Sequence, residues 1–272
     1  MSRLVRGLDL LAGRTSELRR LRELVGDDLA GDDALRDLIG RVQAEDLRDL
    51  LADGDRLRIR PLLVALSARA AGASAVDPEL QHAAELLHLA LVMHNMTLGQ
   101  PGGRRRRVAR RFLKRVGRSH LTVRSLELLR HVSPPELLGE AIDTLRSFSD
   151  GEAMSRDLAL PTSVPTDQDW SEHADAHHGA LLAFCCRAGA HVANADLATI
   201  TSMGRYGRHI GRMWTLADDL VGISGEDPGE YVRDRARTGR LSYPVVTATM
   251  RDQRAAQAWR ELLADPHDLA AA

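Results

Sequence analysis

Cysteine is nearly absent from this 272-residue chain: Cys185 and Cys186 are the only two, and they are adjacent. Neighbouring cysteines bridge only with strain, so a disulfide framework is excluded and a reducing, cytoplasmic address is expected. Lysine is rarer still. Of 37 basic residues only Lys114 is a lysine, a bias of GC-rich coding, so arginine abundance by itself carries no function. Aromatic residues number nine, three each of Phe, Trp and Tyr, and Phe112 alone falls in the arginine-rich segment 104–118, so that segment has no aromatic interleaving for nucleic acid. Long apolar runs are missing as well; the stretch 86–93 already contains His88 and falls far short of a membrane span. The first residues (Met1, Ser2, Arg3) soon meet Asp9 without an apolar core, so no secretory signal is expected. Charge of one sign is lacking too, 37 basic residues standing against 38 acidic for a net −1.

What is present is helix-forming. Leu, Ala, Arg and Glu dominate, and each is a good helix former. Leu8, Leu11, Leu18, Leu21 and Leu24 predict one or two amphipathic helices in residues 1–30, and Leu35, Leu38, Ile39 and Val42 predict another. Arg60-Pro61 opens a helix through Leu62, Leu66 and Ala70, with the proline suited to a first turn. The most apolar helix is predicted from about Glu79 to Leu98, ended by Gln100-Pro101-Gly102-Gly103. An arginine-rich segment, 104–118, carries eight Arg and one Lys in fifteen residues. Further helices are expected over 121–132, from Pro135 to about Phe148, over about 171–194, over 196–223 and at the end, with a loop at 159–169. No alternating strand pattern of useful length occurs. The expectation is an all-α, single-domain antiparallel helix bundle spanning 1–272.

Three separated segments, in order, resemble the trans-isoprenyl diphosphate synthase (polyprenyl synthetase) family. Arg58-Ile59-Arg60-Pro61-Leu62-Leu63 looks like that family's Gly-Lys-Arg-Leu-Arg-Pro opening motif. Ala84-Glu85-Leu86-Leu87-His88, followed by His94-Asn95-Met96-Thr97-Leu98-Gly99, is similar to the helix ending in its first aspartate motif. Tyr206 through Ala217-Asp218-Asp219-Leu220-Val221, continuing to Arg237-Thr238-Gly239-Arg240 and Tyr243-Pro244-Val245-Val246, resembles the second aspartate motif and the segment after it. Weaker matches are Gly151-Glu152-Ala153-Met154 and His177-His178-Gly179. The resemblance implies helices around a central apolar cavity, with residues 79–98 and 203–223 facing each other across it. It also implies Mg²⁺ held by carboxylates against a prenyl diphosphate, because hard cations take oxygen ligands and metal charge stabilises the departing group.

The chain departs from that pattern where the chemistry is concentrated. Asn95, Met96 and Gly99 stand at the first motif's aspartates, and no carboxylate lies between Glu85 and Glu127. The second motif keeps Asp218 and Asp219 but has Gly222 at its last aspartate. Leu57 replaces a lysine, His177-His178 a Lys-Thr pair, and Arg240 a later lysine; the chain is also short at its C-terminal end relative to the family. The diphosphate-binding candidates are therefore Arg58, Arg60, His88, Arg104, Arg105, Arg106, Arg107 and Arg240. Asp218 and Asp219 read either as a remnant, weak Mg²⁺ site or as a helix-end pair beside arginines. Their helix is read with 211, 214, 215, 218 and 222 on one side. His173, His177 and His178 lack the further ligand a zinc site needs. Ala90 and Leu91 would tune cavity depth, and Cys185-Cys186 read as small buried apolar residues. Nucleic-acid binding lacks support.

The function expected is a catalytically impaired partner or regulatory subunit of an active prenyl diphosphate synthase, in a homo- or heterodimer. The alternative is an active Mg²⁺-dependent prenyltransferase or terpene-synthase-like enzyme acting on a prenyl diphosphate through Asp218 and Asp219.

Overall fold

The computed structural model describes residues 59–95, 104–132, 134–158, 160, 164–225 and 227–264; for 92–95, 104–117 and 237 it describes the backbone alone. The helices expected in 1–30 and 32–42, Arg58, Met96, Gly99 and the break at 100–103 lie outside the described residues, as do the side chains of Asn95 and Arg104–Arg107. Among the described residues ten α-helices follow one another: α1 (Ile59–Ala70), α2 (Pro78–Asn95), α3 (Arg104–His131), α4 (Glu136–Leu158), α5 (Asp167–Ala174), α6 (Ala180–Val192), α7 (Leu197–Ile223), α8 (Pro228–Thr238), α9 (Tyr243–Arg251) and α10 (Gln253–Ala264). A single π-helical turn, Asp175–Gly179, joins α5 to α6. No strand occurs among the described residues. The all-α expectation holds.

Three expected boundaries are corrected. The arginine-rich segment and the 121–132 helix are one 28-residue helix, α3, since nothing between them except Gly117 disfavours helix and arginine is a good helix former. Helix α4 runs on past Phe148 to Leu158. The expected 171–194 helix is interrupted by the π-turn, which inserts one residue and turns the following side chains onto a new face.

The described residues form two compact units, each described by itself: those up to Ile142 with Phe184–Gly204, and those from Asp143 to Ala183 with those from Arg205 onward. In the first unit most of α1 and the stretch 80–91 of α2 are buried, Leu62, Leu80 and Leu87 being fully covered. The Ser125 hydroxyl of α3 donates to the Ala83 carbonyl of α2 at 2.8 Å, satisfying a buried hydroxyl as burial requires. Gly189 of α6 allows backbone contact with α1: a Cβ there would lie 2.4 Å from the Val64 carbonyl oxygen. The buried Arg60 pairs with Glu85 at 3.8 Å, and the half-buried Glu140 meets both Arg187 and His191. Cys185 and Cys186 are fully buried here, and burial pushes both thiols up, Cys186 to about 11.

The second unit is built on close approaches at glycine. On α7, a Cβ at Gly207 would meet the Leu182 carbonyl oxygen at 2.3 Å, and one at Gly211 would meet Gly179 Cα and N at 2.5 Å. On α4, a Cβ at Gly151 would meet Ala176 Cβ at 2.6 Å. Local signals bound the helices. Thr166 and Asp169 form a reciprocal capping box for α5. Asp227 caps α8, with Pro228 in its first turn, and Gly239 ends it in the left-handed region at φ 65°. Two apolar clusters complete the unit, Trp170, Ala174, Leu241 and Val246, and Ala236, Trp259, Leu262 and Leu263.

Candidate functional site

The glycine register of α7 decides which aspartate turns inward. Stepping by three or four from Gly207 gives Gly211, Thr215, Asp219 and Gly222, one stripe of the helix. Gly211, Thr215 and Asp219 are buried, and Asp218 is exposed. The buried stripe continues not through Asp218 but through Asp219, which is 0 % exposed. Both of its oxygens are engaged. The Tyr231 hydroxyl donates to Oδ1 at 2.6 Å, the Arg235 Nη2 reaches the same oxygen at 3.4 Å, and the Tyr243 backbone N–H donates to Oδ2 at 2.8 Å. Arg235 Nε in turn donates to the Tyr231 oxygen at 2.9 Å, with its guanidinium carbon 4.9 Å from that ring's centroid. The Tyr231 ring lies over Gly222, where a Cβ would be 2.1 Å from Cε2. Burial and the Asp219 hydrogen bond raise the Tyr231 phenol to about 12.

A second group gathers around the π-turn. His177 Nδ1 stands 2.8 Å from the His173 carbonyl oxygen, an acceptor, so it carries a proton. His177 Nε2 stands 2.9 Å from Glu152 Oε1, and that pair shares one further proton. The Thr215 hydroxyl donates to the Gly211 carbonyl at 3.1 Å and receives the Nδ1 proton of His178, also at 3.1 Å. Asp175 takes both nitrogens of an Arg212 fork at 2.6 Å and lies 3.6 Å from Arg208. His173 is buried with neither ring nitrogen hydrogen-bonded. Burial first, then His177, Arg235, Arg240 and His178, hold it well below the ordinary histidine value. Burial, then the neighbouring Arg235, also lowers the Arg240 guanidinium. Arg235 of α8 and Arg240 of the α8–α9 link thus lie near the histidines of α5 and the π-turn, with Glu152 of α4 and Asp234 of α8 as the neighbouring carboxylates. Such a grouping is suited to a bound anion.

The sequence-derived candidates are distributed unevenly over this geometry. Arg240, Asp219 and the histidines of the π-turn come together in the second unit. Arg60 lies in the first, buried against Glu85, with His88 half-buried on the same helix as Glu85. Arg104–Arg107 form the first turn of α3, which holds no acidic residue. Tyr231 and Arg235 were missed as site residues; His173 was weighed only as a zinc ligand, and Glu152 entered only within a weak match. The one sequence signal for Tyr231 was Gly222, a position emptied of its side chain. Mg²⁺, which the resemblance implies, needs several oxygens at once. Asp219 as arranged does not offer them, and no group of three potential metal-ligating side chains converges among the described residues. No described helix is long and apolar enough to cross a membrane.

The arrangement of helices is that of the isoprenyl diphosphate synthases. The chain superposes on a decaprenyl diphosphate synthase from Rhodobacter capsulatus with a TM-score of 0.72 and 19 % identity, covering 90 % of this chain and 79 % of that one. The polyprenyl synthetase family profile matches residues 112–271, more than half of the sequence, and the chain belongs to that family. It is 30 % identical over 204 residues to a (2E,6E)-farnesyl diphosphate synthase of Mycobacterium tuberculosis, covering 69 % of this chain and 55 % of the relative. It is 41 % identical over 87 residues to a geranylgeranyl diphosphate synthase of the same species, covering 30 % of this chain and 24 % of the relative. The match thus spans from about a quarter to about half the length of these two relatives.

Proposed function

We propose that this chain serves isoprenoid biosynthesis as a catalytically impaired member of its family, a partner subunit that pairs in the cytoplasm with an active prenyl diphosphate synthase. The observation that carries the reading is the state of Asp219: buried, with both oxygens taken by Tyr231, Arg235 and the Tyr243 N–H. In an active synthase, metal bound to such carboxylates supplies charge that stabilises the departing diphosphate. Preorganised stabilisation of this kind is usually the largest single contribution to rate. Here the carboxylate is spent on holding helices.

A prenyl diphosphate would still find cations. Arg235, Arg240 and His178 surround His173. Arg104–Arg107 stand at the N-terminus of α3, where the helix's own dipole favours an anion. Guanidinium groups grip phosphate oxygens bidentately without a metal, so binding driven by arginine, with Mg²⁺ weak, accords with this arrangement. A second reading has its own support. Asp218 is exposed on α7, and an active Mg²⁺-dependent prenyltransferase would rely on it and on Asp219.

Two measurements separate the readings. The chain is purified alone and after co-expression with an intact synthase, and each sample is assayed with allylic and homoallylic diphosphates and Mg²⁺. Co-elution on size exclusion with altered product length or rate, and no turnover alone, is the expected result. Robust Mg²⁺-dependent condensation by the chain alone would overturn the partner reading in favour of the enzyme.

A further inference from the structure

Helix α7 carries its side chains the opposite way round from an ordinary surface helix. The face packed on its own unit is small and polar, formed by Gly207, Gly211, Thr215 and Asp219. The large apolar residues point outward, Tyr206, Met213 and Leu220 being 59 %, 57 % and 61 % exposed. A surface helix normally turns its apolar stripe to the core and its charges to water. The outward residues are Tyr206, Ile210, Met213, Ala217, Leu220 and Ser224, an unbroken alternation of four- and three-residue steps. That is the spacing of a coiled-coil seam. Ser224 belongs to it although α7 ends at Ile223, since its N–H still bonds the Leu220 carbonyl at 3.0 Å. Charge is kept off the seam. Arg205, Arg208 and Arg212 stand away from it, and the exposed Asp218 lies about 100° round the axis from Ala217. Trp214, Leu216, Val221 and Ile223 flank it, with His209 the one ionisable flanking group. All of these residues lie within the second unit.

We propose that this seam docks α7 of a second copy of the chain, the two helices running antiparallel about a two-fold axis at the level of Thr215. A two-fold interface has to be self-complementary, and the seam is so in one sense only. Run antiparallel, Tyr206 meets Ser224 of the second copy, Ile210 meets Leu220, and Met213 meets Ala217, each larger residue opposite a smaller or matched one. Such pairing lets layers interdigitate. Run parallel, Tyr206, Met213 and Leu220 would each meet their own equivalents, and layers of bulk would alternate with the nearly empty layers of Ala217 and Ser224. The antiparallel sense also opposes the two helix dipoles. The strip is about 27 Å long and about 10 Å wide, which puts the interface at the small end of specific ones, about 1,000 Å² in total. The dimer is therefore reversible and concentration-dependent. It does not depend on whether the chain pairs with a synthase.

The full-length chain, alone, is followed by sedimentation equilibrium over a wide concentration range as wild type and as Met213→Glu/Leu220→Glu, with folding checked by circular dichroism. Both replaced side chains are more than half exposed, so the variant should fold. Wild type should show an association step that the variant weakens at least tenfold. Cross-linking then reads the register. Proteins carrying Met213→Cys and Ala217→Cys are mixed and oxidised mildly, Cys185 and Cys186 being buried. The mixed 213–217 disulfide should form in clear excess over the 213–213 and 217–217 disulfides. The proposal is overturned if wild type shows no association, or associates equally in the glutamate variant, which would place any dimer on another face. A dominant 213–213 disulfide would also overturn it, since the helices would then run parallel. So would binding of wild type, and not of the glutamate variant, to phosphatidylcholine vesicles without self-association, which would assign the seam to a lipid surface. No synthase is present in these experiments, so a failure of the partner-subunit reading leaves their outcome unmoved.

Discussion

Adding one methyl group at Gly211 tests how the second unit is assembled. The new Cβ would lie 2.5 Å from Gly179 Cα and N and 2.6 Å from the His178 carbonyl carbon. Carbon atoms in comfortable contact sit about 3.5–4.0 Å apart, so α7 and the π-turn must separate by about 1 Å. All three atoms are backbone and cannot swing aside, which puts the cost near the upper end of the overpacking range, about 3 kcal/mol. Alanine is the better helix former and returns about 1 kcal/mol. The net loss is about 2 kcal/mol, or about 4–8 °C of melting temperature for a chain of this size. The His178–Thr215 hydrogen bond flanks the same crossing and should weaken with it. Gly139→Ala is the control, because a Cβ there meets nothing within 4 Å and only the helix-propensity gain remains. Thermal melts and urea curves of both variants decide the matter. If Gly211→Ala melts at or above the wild-type temperature, backbone contact at this crossing does not hold the unit together.

Three further outcomes follow from the titratable groups. His173 is held below the ordinary histidine value, so as pH falls through 6.5 the unfolded chain takes up a proton that the folded one refuses. Stability should therefore drop toward pH 5 in wild type and drop less in His173→Leu, read as the difference in melting temperature between pH 7.5 and 5.5. Tyr231 is raised to about 12, so its contribution is intact below about pH 10 and lost as pH climbs from there toward 12; Tyr231→Phe should lack that alkaline loss in the same melts. Burial raises the Cys185 and Cys186 thiols, and the thiolate is the reactive form. A disulfide reagent at pH 8 should titrate no thiol in the native chain and both after guanidinium; rapid native labelling would contradict the buried placement.

Much of this was readable without coordinates. An apolar set of Leu and Ala, charges of helix-forming type and no alternation leave helix as the only regular structure, because propensity and periodicity are local properties. The order of the matched segments pointed to the family, and Pro61 and Pro78 each fell in a helix's first turn, whereas Pro228, read as part of a turn, opens α8. That Asn95, Met96 and Gly99 stand where the resemblance expects three carboxylates was equally plain, although their side chains lie outside the described residues. Register on α7 was not plain. Asp218 and Asp219 are only about 100° apart around a helix axis, and hydrophobic spacing tolerates either as the inward residue. The choice falls to what packs against the helix: glycines 207 and 211, seated on backbone, turn Asp219 inward and leave Asp218 at the surface. What Asp219 then meets comes from positions 12, 16 and 24 residues away, and a separation of that length is closed by tertiary packing alone. So is the meeting of His173 with Arg240, 67 positions later in the chain. Local chemistry made the helices, and the close approaches at glycine decided which charges they bring together.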